Sequence, residues 1–302
     1  MSNTVEALSA DAAERSVGGT GPEGPLVDRR FVRLSDNGLM HVRSVGLAVT
    51  GPCSPGQEPP VLLLHAGPGS SAGLVPLIKE LGRCRVVIAP DTPGYGDSDP
   101  PPQHSPQLTD YMDRMVELLD RLGIEQVDVC GQHTGAHIAC ELALHHPHRV
   151  RRLMLDGIAL FEPALLQQMK ASYAPAMRPD ELGSHLTWAW RFVADLYLHF
   201  PYFLRDPAHR LHHSEVPPAA ARQGLVLDLI KALPSYHLAY QAVFAHPTAE
   251  RLVLLRHPTL LLAAQGDPLA VYLEAAAALV PGAQIARPSR QSRGAALLEF
   301  IR

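Results

Sequence analysis

A histidine stands where this sequence is best suited to present a reactive side chain. The segment Val127-Asp-Val-Cys-Gly-Gln-His-Thr-Gly places His133 between Gly131 and Gly135, after an apolar run and before a helical pattern. Glycines on both sides permit a tight turn from strand to helix, because they add no side chain to a crowded backbone. An imidazole is a base near neutral pH before it is a nucleophile. The segment therefore predicts proton transfer at His133.

Short apolar runs alternate with helical patterns from residue 61 onward. Runs of four or five apolar residues are typical of strands buried on both faces, and helical connections between them predict a parallel sheet. The predicted strands cover residues 61–64, 85–89, 127–130, 152–155 and 259–263. The predicted helices cover residues 72–81, 108–122, 134–145 and 269–279. Together they predict an α/β fold that places His133 at the end of a central strand.

Two other segments depart from this alternation. Alternating stretches around Asp36-Asn-Gly predict a β-hairpin over residues 31–43. Residues 158–246 are helical and rich in aromatic residues, which indicates a helical cap inserted between two strands. The predicted domains are a disordered tail over residues 1–25, an α/β core over 26–157 and 247–302, and the cap over 158–246. An insertion there should lie over the carboxyl ends of the strands, where open α/β sheets bind ligands.

Composition excludes several classes of function. A chain of 302 residues with 46% hydrophobic and 19% charged residues is ordinary for a globular protein. The formal net charge of −4 gives no signature of nucleic-acid binding. The sequence has no apolar run of about 20 residues to cross a bilayer, and its first 25 residues carry acids and no continuous apolar core. We therefore expect a cytoplasmic protein with a small-molecule ligand and no nucleic-acid or membrane partner.

The order of the following motifs resembles the α/β-hydrolase superfamily over about residues 30 to 302. Leu62-Leu-Leu-His-Ala-Gly-Pro-Gly is similar to the His-Gly loop of proline-iminopeptidase-type members. Asp91-Thr-Pro-Gly-Tyr-Gly-Asp-Ser is similar to a segment of epoxide hydrolases, haloalkane dehalogenases and C–C bond hydrolases. The turn at His133 resembles the nucleophile elbow of the superfamily. The resemblance implies a mostly parallel eight-stranded sheet, flanked by helices, with an inserted helical cap.

The resemblance also implies roles for particular residues. The backbone N–H groups of Ala66, Gly67 and Thr134 would form an oxyanion hole. The family's acidic residue follows the seventh strand, where Ala264-Gln-Gly-Asp places Asp267. Gly-Asp-Pro at this point is also an ordinary turn sequence, so both interpretations of Asp267 stay open.

Two departures from the family pattern argue against ordinary ester hydrolysis. A histidine at the elbow has no hydroxyl or thiol with which to form the usual acyl-enzyme. No histidine follows Pro258, although the family carries one after its eighth strand. One hypothesis is that His133 serves as general base, oriented by Asp267, in hydrolysis or in cofactor-free lyase or isomerase chemistry. The alternative is a catalytically inactive protein that binds a ligand on the same scaffold.

The remaining candidates concern metals and substrate contacts. His133, His137 and Glu141 recur with helical spacing, a pattern that could bind a metal. Packing of this helix against the sheet favours instead a packed or partly exposed His137, and we expect neither a metal nor an organic cofactor. The predicted substrate contacts are Tyr95, Trp190, Tyr236 and His237. The substrate, the reaction type and the oligomeric state do not follow from the sequence.

Overall fold

Eight strands in the described part of the chain form one sheet. The computed structural model describes residues 24–47, 58–212, 215–289 and 291–302, so the predicted tail lies almost wholly outside the described residues. The strands are β1 (Asp28–Arg33), β2 (Leu39–Val45), β3 (Val61–Leu64), β4 (Val87–Pro90), β5 (Val127–Gln132), β6 (Val150–Asp156), β7 (Thr259–Leu262) and β8 (Gln284–Ala286). The helices are α1 (Val75–Leu81), α2 (Leu108–Arg121), α3 (Thr134–His145), α4 (Pro163–Ser172), α5 (Ser184–Leu198), α6 (Ala219–Lys231), α7 (Tyr236–Ala245), α8 (Thr248–Leu252), α9 (Leu273–Leu279) and α10 (Arg293–Ile301).

The order of the strands brings the carboxyl ends of the central ones to one edge. The order is β1-β2-β4-β3-β5-β6-β7-β8. β2 pairs antiparallel with β1 and with β4, whereas every other pairing is parallel. The predicted mostly parallel, eight-stranded sheet is confirmed. Loops that follow β3, β5, β6 and β7 therefore meet, as ligand-binding loops do in open α/β sheets.

The predicted central strands are confirmed, and they are buried on both faces. All four residues of β3 are buried. Leu62 and Leu64 pack in one hydrophobic core, while Leu63 packs in a second core on the opposite face. β5 and β6 extend beyond the predicted bounds, to Gln132 and Asp156. These extensions carry the strands into the site.

The predicted hairpin and helices are also confirmed, with adjusted bounds. β1 and β2 place Phe31 opposite His41, and the turn between them holds Asn37 at a φ of 68°. α3 has the predicted bounds, and Gly123 follows α2 at a φ of +67°. The predicted helix at residues 72–81 begins as a 3₁₀ turn over Ser71–Leu74.

The segment between β6 and β7 is helical, as the cap prediction requires. It contains α4 to α8, and aromatic rings hold them together: Tyr173 lies 5.3 Å from Tyr202 and 5.2 Å from Tyr240 between ring centroids. Tyr240 in turn stacks on Phe244 at 6.0 Å. The exact bounds of the cap, and of the core around it, stay predictions.

None of the helices in the described part of the chain combines the length and the apolar character that a bilayer crossing requires.

Candidate active site

His133 occupies the turn between β5 and α3. Its backbone has a φ of 47° and a ψ of −107°, a conformation that residues other than glycine rarely adopt. The N–H of His133 donates to the carbonyl of Asp156 at 2.8 Å, which ties the turn to the end of β6. The side chain is 38% exposed. The turn thus presents the imidazole at the edge of the sheet and not inside the core.

Gly131 and Gly135 leave the space that this turn needs. A Cβ atom added at Gly131 would lie 2.6 Å from the backbone nitrogen of Ala136. One added at Gly135 would lie 2.7 Å from the carbonyl carbon of Leu64. Cβ atoms do not approach other heavy atoms so closely. The two glycines therefore let the first turn of α3 rest directly on the backbone of the central strands.

Asp267, from the loop after β7, holds the imidazole. Nε2 of His133 lies 2.8 Å from Oδ2 of Asp267, and Oδ1 of Asp267 accepts the N–H of Leu269 at 2.8 Å. Because a carboxylate accepts hydrogen bonds and does not donate them, Nε2 carries the proton. The lone pair of neutral His133 is therefore on Nδ1, which is the atom able to accept a proton from a ligand.

His133 is a stronger base than an ordinary histidine. Burial lowers the pKa of its imidazole, but the hydrogen bond and the negative charge of Asp267 outweigh this effect and raise the pKa above 6.5. Burial likewise raises the pKa of Asp267, and His133 outweighs it and holds that pKa below 3.8. The neutral form of His133, which acts as a base, predominates only above its raised pKa.

If His133 is a general base, replacement of Asp267 by asparagine should move the pH profile of turnover. In the wild type, kcat/KM should then rise with pH through the raised pKa of His133. In Asp267→Asn the negative charge is gone while burial still lowers the pKa of the imidazole, so the midpoint moves to lower pH. The plateau should fall by less than the about 10²–10⁴-fold expected for loss of a general base. An unchanged midpoint, measured over the same pH range, would show that Asp267 does not control His133.

A second buried carboxylate lies beside this pair. Asp156 ends β6 and is 1% exposed. Its Oδ2 lies 3.2 Å from Nε of Arg293, yet neither carboxylate oxygen makes a hydrogen bond within the described residues. Burial raises the pKa of Asp156 to about 6. Sequence analysis missed both residues, although Asp156 directly follows a predicted buried strand, the same signal that marked Asp267.

The backbone of Gly157 packs directly against the imidazole of His133. It has a φ of +72°, and a Cβ atom added there would lie 2.6 Å from Cδ2 of His133. Its N–H donates to the carbonyl of Leu262 at 2.8 Å, which fixes this backbone to β7. The ring of His133 thus rests on the Gly157 backbone and is directed towards Asp267. Sequence analysis gave Gly157 no role.

The predicted oxyanion-hole residues lie around the same turn. Thr134 is the first residue of α3, so its N–H has no acceptor within the helix. A Cβ atom added at Gly67 would lie 3.2 Å from Oγ1 of Thr134, which places the loop after β3 beside the start of α3. Ala66 precedes Gly67 in this loop, and its carbonyl accepts the N–H of Gly69 at 3.1 Å. The use of these residues as an oxyanion hole stays a prediction.

Two cavities meet at His133. The first, here named the chamber, has a volume of about 50 Å³ and lies beneath the cap. The second, here named the cleft, has a volume of about 730 Å³ and also contains Asp267 and Arg293. The chamber is lined mainly by apolar and aromatic side chains, namely Ala159, Phe161, Met169, Tyr173, Phe200, Tyr240, Val243, Phe244 and Leu269. The imidazole therefore stands between a small apolar chamber and a larger cleft that both polar and apolar residues line.

The predicted substrate contacts do not line these cavities. Tyr95 is 1% exposed and its hydroxyl donates to the carbonyl of Tyr236 at 2.7 Å. The hydroxyl of Tyr236 donates to the carbonyl of Pro175. Arg222 lies over the ring of Trp190, 4.1 Å from its centroid. These three residues and His237 do not line the described chamber or cleft, so their contact with substrate stays a prediction.

A cluster of His41, Asp91 and Asp97 has the composition of a metal site. Nδ1 of His41 lies 2.9 Å from Oδ2 of Asp91, which also accepts the N–H of Asp97. Oδ1 of Asp97 lies 2.6 Å from Nζ of Lys231. Hydrogen bonds and ion pairs within the protein already occupy these carboxylates, so the cluster is better explained as support for the loop after β4.

Sequence comparison identifies the family. The family model described as "alpha/beta hydrolase fold" matches residues 59–286. The chain is 42% identical over 103 residues to 2-hydroxymuconate semialdehyde hydrolase of Pseudomonas sp. (strain CF600), a match that covers 33% of this chain and 36% of that protein. It is 29% identical over 212 residues to haloalkane dehalogenase 2 of Mycobacterium tuberculosis (strain CDC 1551 / Oshkosh), covering 68% of this chain and 71% of that protein. The first of these matches spans only about a third of the relative's length.

Solved structures agree on the fold. The enol-lactonase from Burkholderia xenovorans LB400 superimposes with a TM-score of 0.67 at 18% identity, covering 90% of this chain and 99% of that one. A sequence identity of 18% supports a common fold but not a common activity. Taken with the match over residues 59–286, it shows that the chain belongs to the α/β-hydrolase fold family.

Proposed function

We propose that the protein is an enzyme that acts on a small, largely apolar organic molecule, with His133 as general base and no serine acyl-enzyme. The observation that carries this proposal is the 2.8 Å contact between Nε2 of His133 and Oδ2 of Asp267, made at a strained turn that opens into both cavities. Strained backbone persists where the surrounding structure holds it, and such positions cluster at active sites.

The proposed chemistry depends on which nitrogen of His133 can accept a proton. Nδ1 of His133 accepts a proton from water or from a substrate C–H or O–H group, while Asp267 stabilises the imidazolium that forms. The N–H groups of Thr134 and Ala66 are the candidates to stabilise negative charge on an oxygen of the substrate. Hydrolysis, carbon–carbon bond cleavage and isomerisation each use these two functions, and none of them needs a covalent intermediate.

The size and lining of the cavities support a small organic substrate. The chamber has room for a few water-sized groups, whereas the cleft has room for a larger part of a ligand. Two relatives are named for small organic substrates, 2-hydroxymuconate semialdehyde and a haloalkane. We infer that the reacting group of the substrate lies at His133 with an apolar part beneath the cap.

A fluorophosphonate probe should leave this protein unlabelled. Such probes react with a serine activated by a histidine, and position 133 offers no hydroxyl. Labelling would be read by intact-protein mass spectrometry, with a serine hydrolase of the same fold treated in parallel as the positive control. Ser70, which is buried in the loop after β3 and donates to Asp228 at 2.9 Å, is the matched test position. Labelling that disappears in Ser70→Ala would show that the nucleophile has been misassigned.

A further inference from the structure

A second imidazole faces the chamber. His137 lies four residues after His133 on α3, and both side chains line the chamber. His137 is 2% exposed, so it is a polar side chain enclosed among apolar ones. A buried polar group of this kind needs hydrogen-bond partners.

The hydrogen-bond partners of His137 within the described residues do not line the chamber. Its Nδ1 lies 3.3 Å from Nδ1 of His246 and 3.3 Å from Oγ1 of Thr248. Oγ1 of Thr248 also lies 3.0 Å from Nδ1 of His246. Within the described residues, Nε2 of His137 has no hydrogen-bond partner, so this nitrogen is available to a ligand in the chamber.

His246 connects His137 to a carboxylate. Nε2 of His246 lies 2.9 Å from Oε1 of Glu141, and because the carboxylate only accepts, this nitrogen carries a proton. Arg251 holds Glu141 with two hydrogen bonds, at 2.7 Å and 2.9 Å. Glu141, which is itself buried, His246 and His137 thus form a hydrogen-bonded row that ends at the chamber.

We propose that His137, backed by His246 and Glu141, is a second acid–base group that exchanges a proton with a ligand bound beside His133. This inference rests on the proposed function and narrows it. A ligand reached by two acid–base groups can lose a proton at one atom and gain one at another. The substrate class that uses both is a carbonyl compound with an acidic C–H next to the carbonyl.

Two protonation states of the row make this exchange possible. In the first, His246 is neutral, Nδ1–H of His137 donates to it or to Thr248, and Nε2 of His137 holds a lone pair. In the second, His246 holds an extra proton on Nδ1, while its Nε2–H still donates to Glu141. The proton of neutral His137 is then on Nε2. The states differ by one proton, which enters or leaves at Nε2 of His137 while another moves between the two Nδ1 atoms.

The proposed enolisation of the substrate starts from the second protonation state of the row. Nδ1 of His133 takes the proton from carbon, and the C–H electron pair becomes the carbon–carbon π bond. The C=O π pair forms the new O–H bond with the proton from Nε2 of His137. His137 then takes the Nδ1 proton of His246, which becomes neutral. After the enol leaves, His133 loses its proton to water and the row takes up one proton from water at Nε2 of His137, which restores both groups with no net change in protons.

The charges around the row favour a neutral His137 in both states. Burial lowers the pKa of His137 to about 3, and the charges of His246 and His133 act in the same direction. Burial raises the pKa of Glu141, but its hydrogen bonds to His246 and Arg251 bring it down to about 2. In the second state the extra proton is therefore assigned to the imidazole that contacts the Glu141 carboxylate, and not to His137. The titratable and charged groups that surround the row are His133 and His145 next to or on α3, Tyr173 after α4, Tyr240 on α7 and Arg251 on α8.

The test is the tautomer of His137, observed by NMR of the full chain labelled with ¹⁵N at histidine. As the pH is raised across the range in which the protein stays folded, we expect the proton of His137 to move from Nε2 to Nδ1 while the ring stays neutral. A single tautomer of His137 over this range, or a charged His137, would overturn the proposal.

Two variants separate this inference from the proposed function. His133→Ala should leave the change of tautomer in place, because His133 is not part of the row. His246→Gln should abolish it, because glutamine cannot bind the extra proton. A tautomer change that survives in His246→Gln contradicts the proposal, and the wild-type titration decides the question if that variant does not fold. Failure of His133 as a base would leave this result unaffected.

Discussion

Replacement of His133 by alanine is expected to lower kcat/KM by about 10²–10⁴-fold, the range for loss of a positioned general base. The fold should survive, because the side chain is 38% exposed and alanine leaves both flanking glycines in place. The substrate can be found by comparing metabolites that accumulate in a deletion strain with those in a His133→Ala strain. Purified wild type and variant are then compared by steady-state kinetics on that compound.

The matched control is His104→Ala, a change at an exposed histidine outside both cavities. We expect kcat/KM of this variant to equal that of the wild type. If His133→Ala turns over substrate as fast as His104→Ala, His133 is not the base. If the purified wild type binds the accumulated compound and does not convert it, the protein is a ligand-binding member of the fold family.

The fold was largely predictable from the sequence, because the central strands are buried on both faces and appear as continuous apolar runs. β3 and α3 have the predicted bounds. β8 escaped prediction because it is a three-residue edge strand with one exposed and two half-buried residues, which leaves no apolar run to detect. α10 was missed for a related reason, since its first residue, Arg293, belongs to a stretch that reads as a basic loop.

The site was predictable only in part. The glycines around position 133 identify the turn, because a crowded backbone limits which residues fit there. The contact between His133 and Asp267 spans 134 positions of the chain, and no local pattern determines where two such distant side chains meet. The contact between His137 and His246 was unpredictable for the same reason, because the two residues are 109 positions apart in the chain. Sequence spacing alone left metal ligation open, whereas the expected packing of α3 against the sheet favoured a packed or partly exposed His137, and the structure shows it buried.

Gly131→Ala is expected to destabilise the protein by more than about 4 kcal/mol, a loss that single substitutions rarely reach. Gly131 is buried in β5, and the new methyl group would lie against the carbonyl of Gly135 and 2.6 Å from the nitrogen of Ala136. These atoms belong to the backbone of α3, so no side-chain rotation relieves the clash. Either the helix moves away from the strand, or the turn that carries His133 changes its conformation. Urea unfolding of wild type and variant measures the difference.

Gly224→Ala supplies the contrast within the same chain. Gly224 is exposed in α6, and a Cβ atom added there meets nothing within 4 Å. Because alanine is a better helix former than glycine, this variant should gain about 0.5–1 kcal/mol. The two substitutions add the same methyl group, so their opposite effects isolate the close approach of α3 to β5. A Gly131→Ala protein as stable as the wild type would mean that the turn does not hold His133 by this packing, and the basis for its strained conformation would be lost.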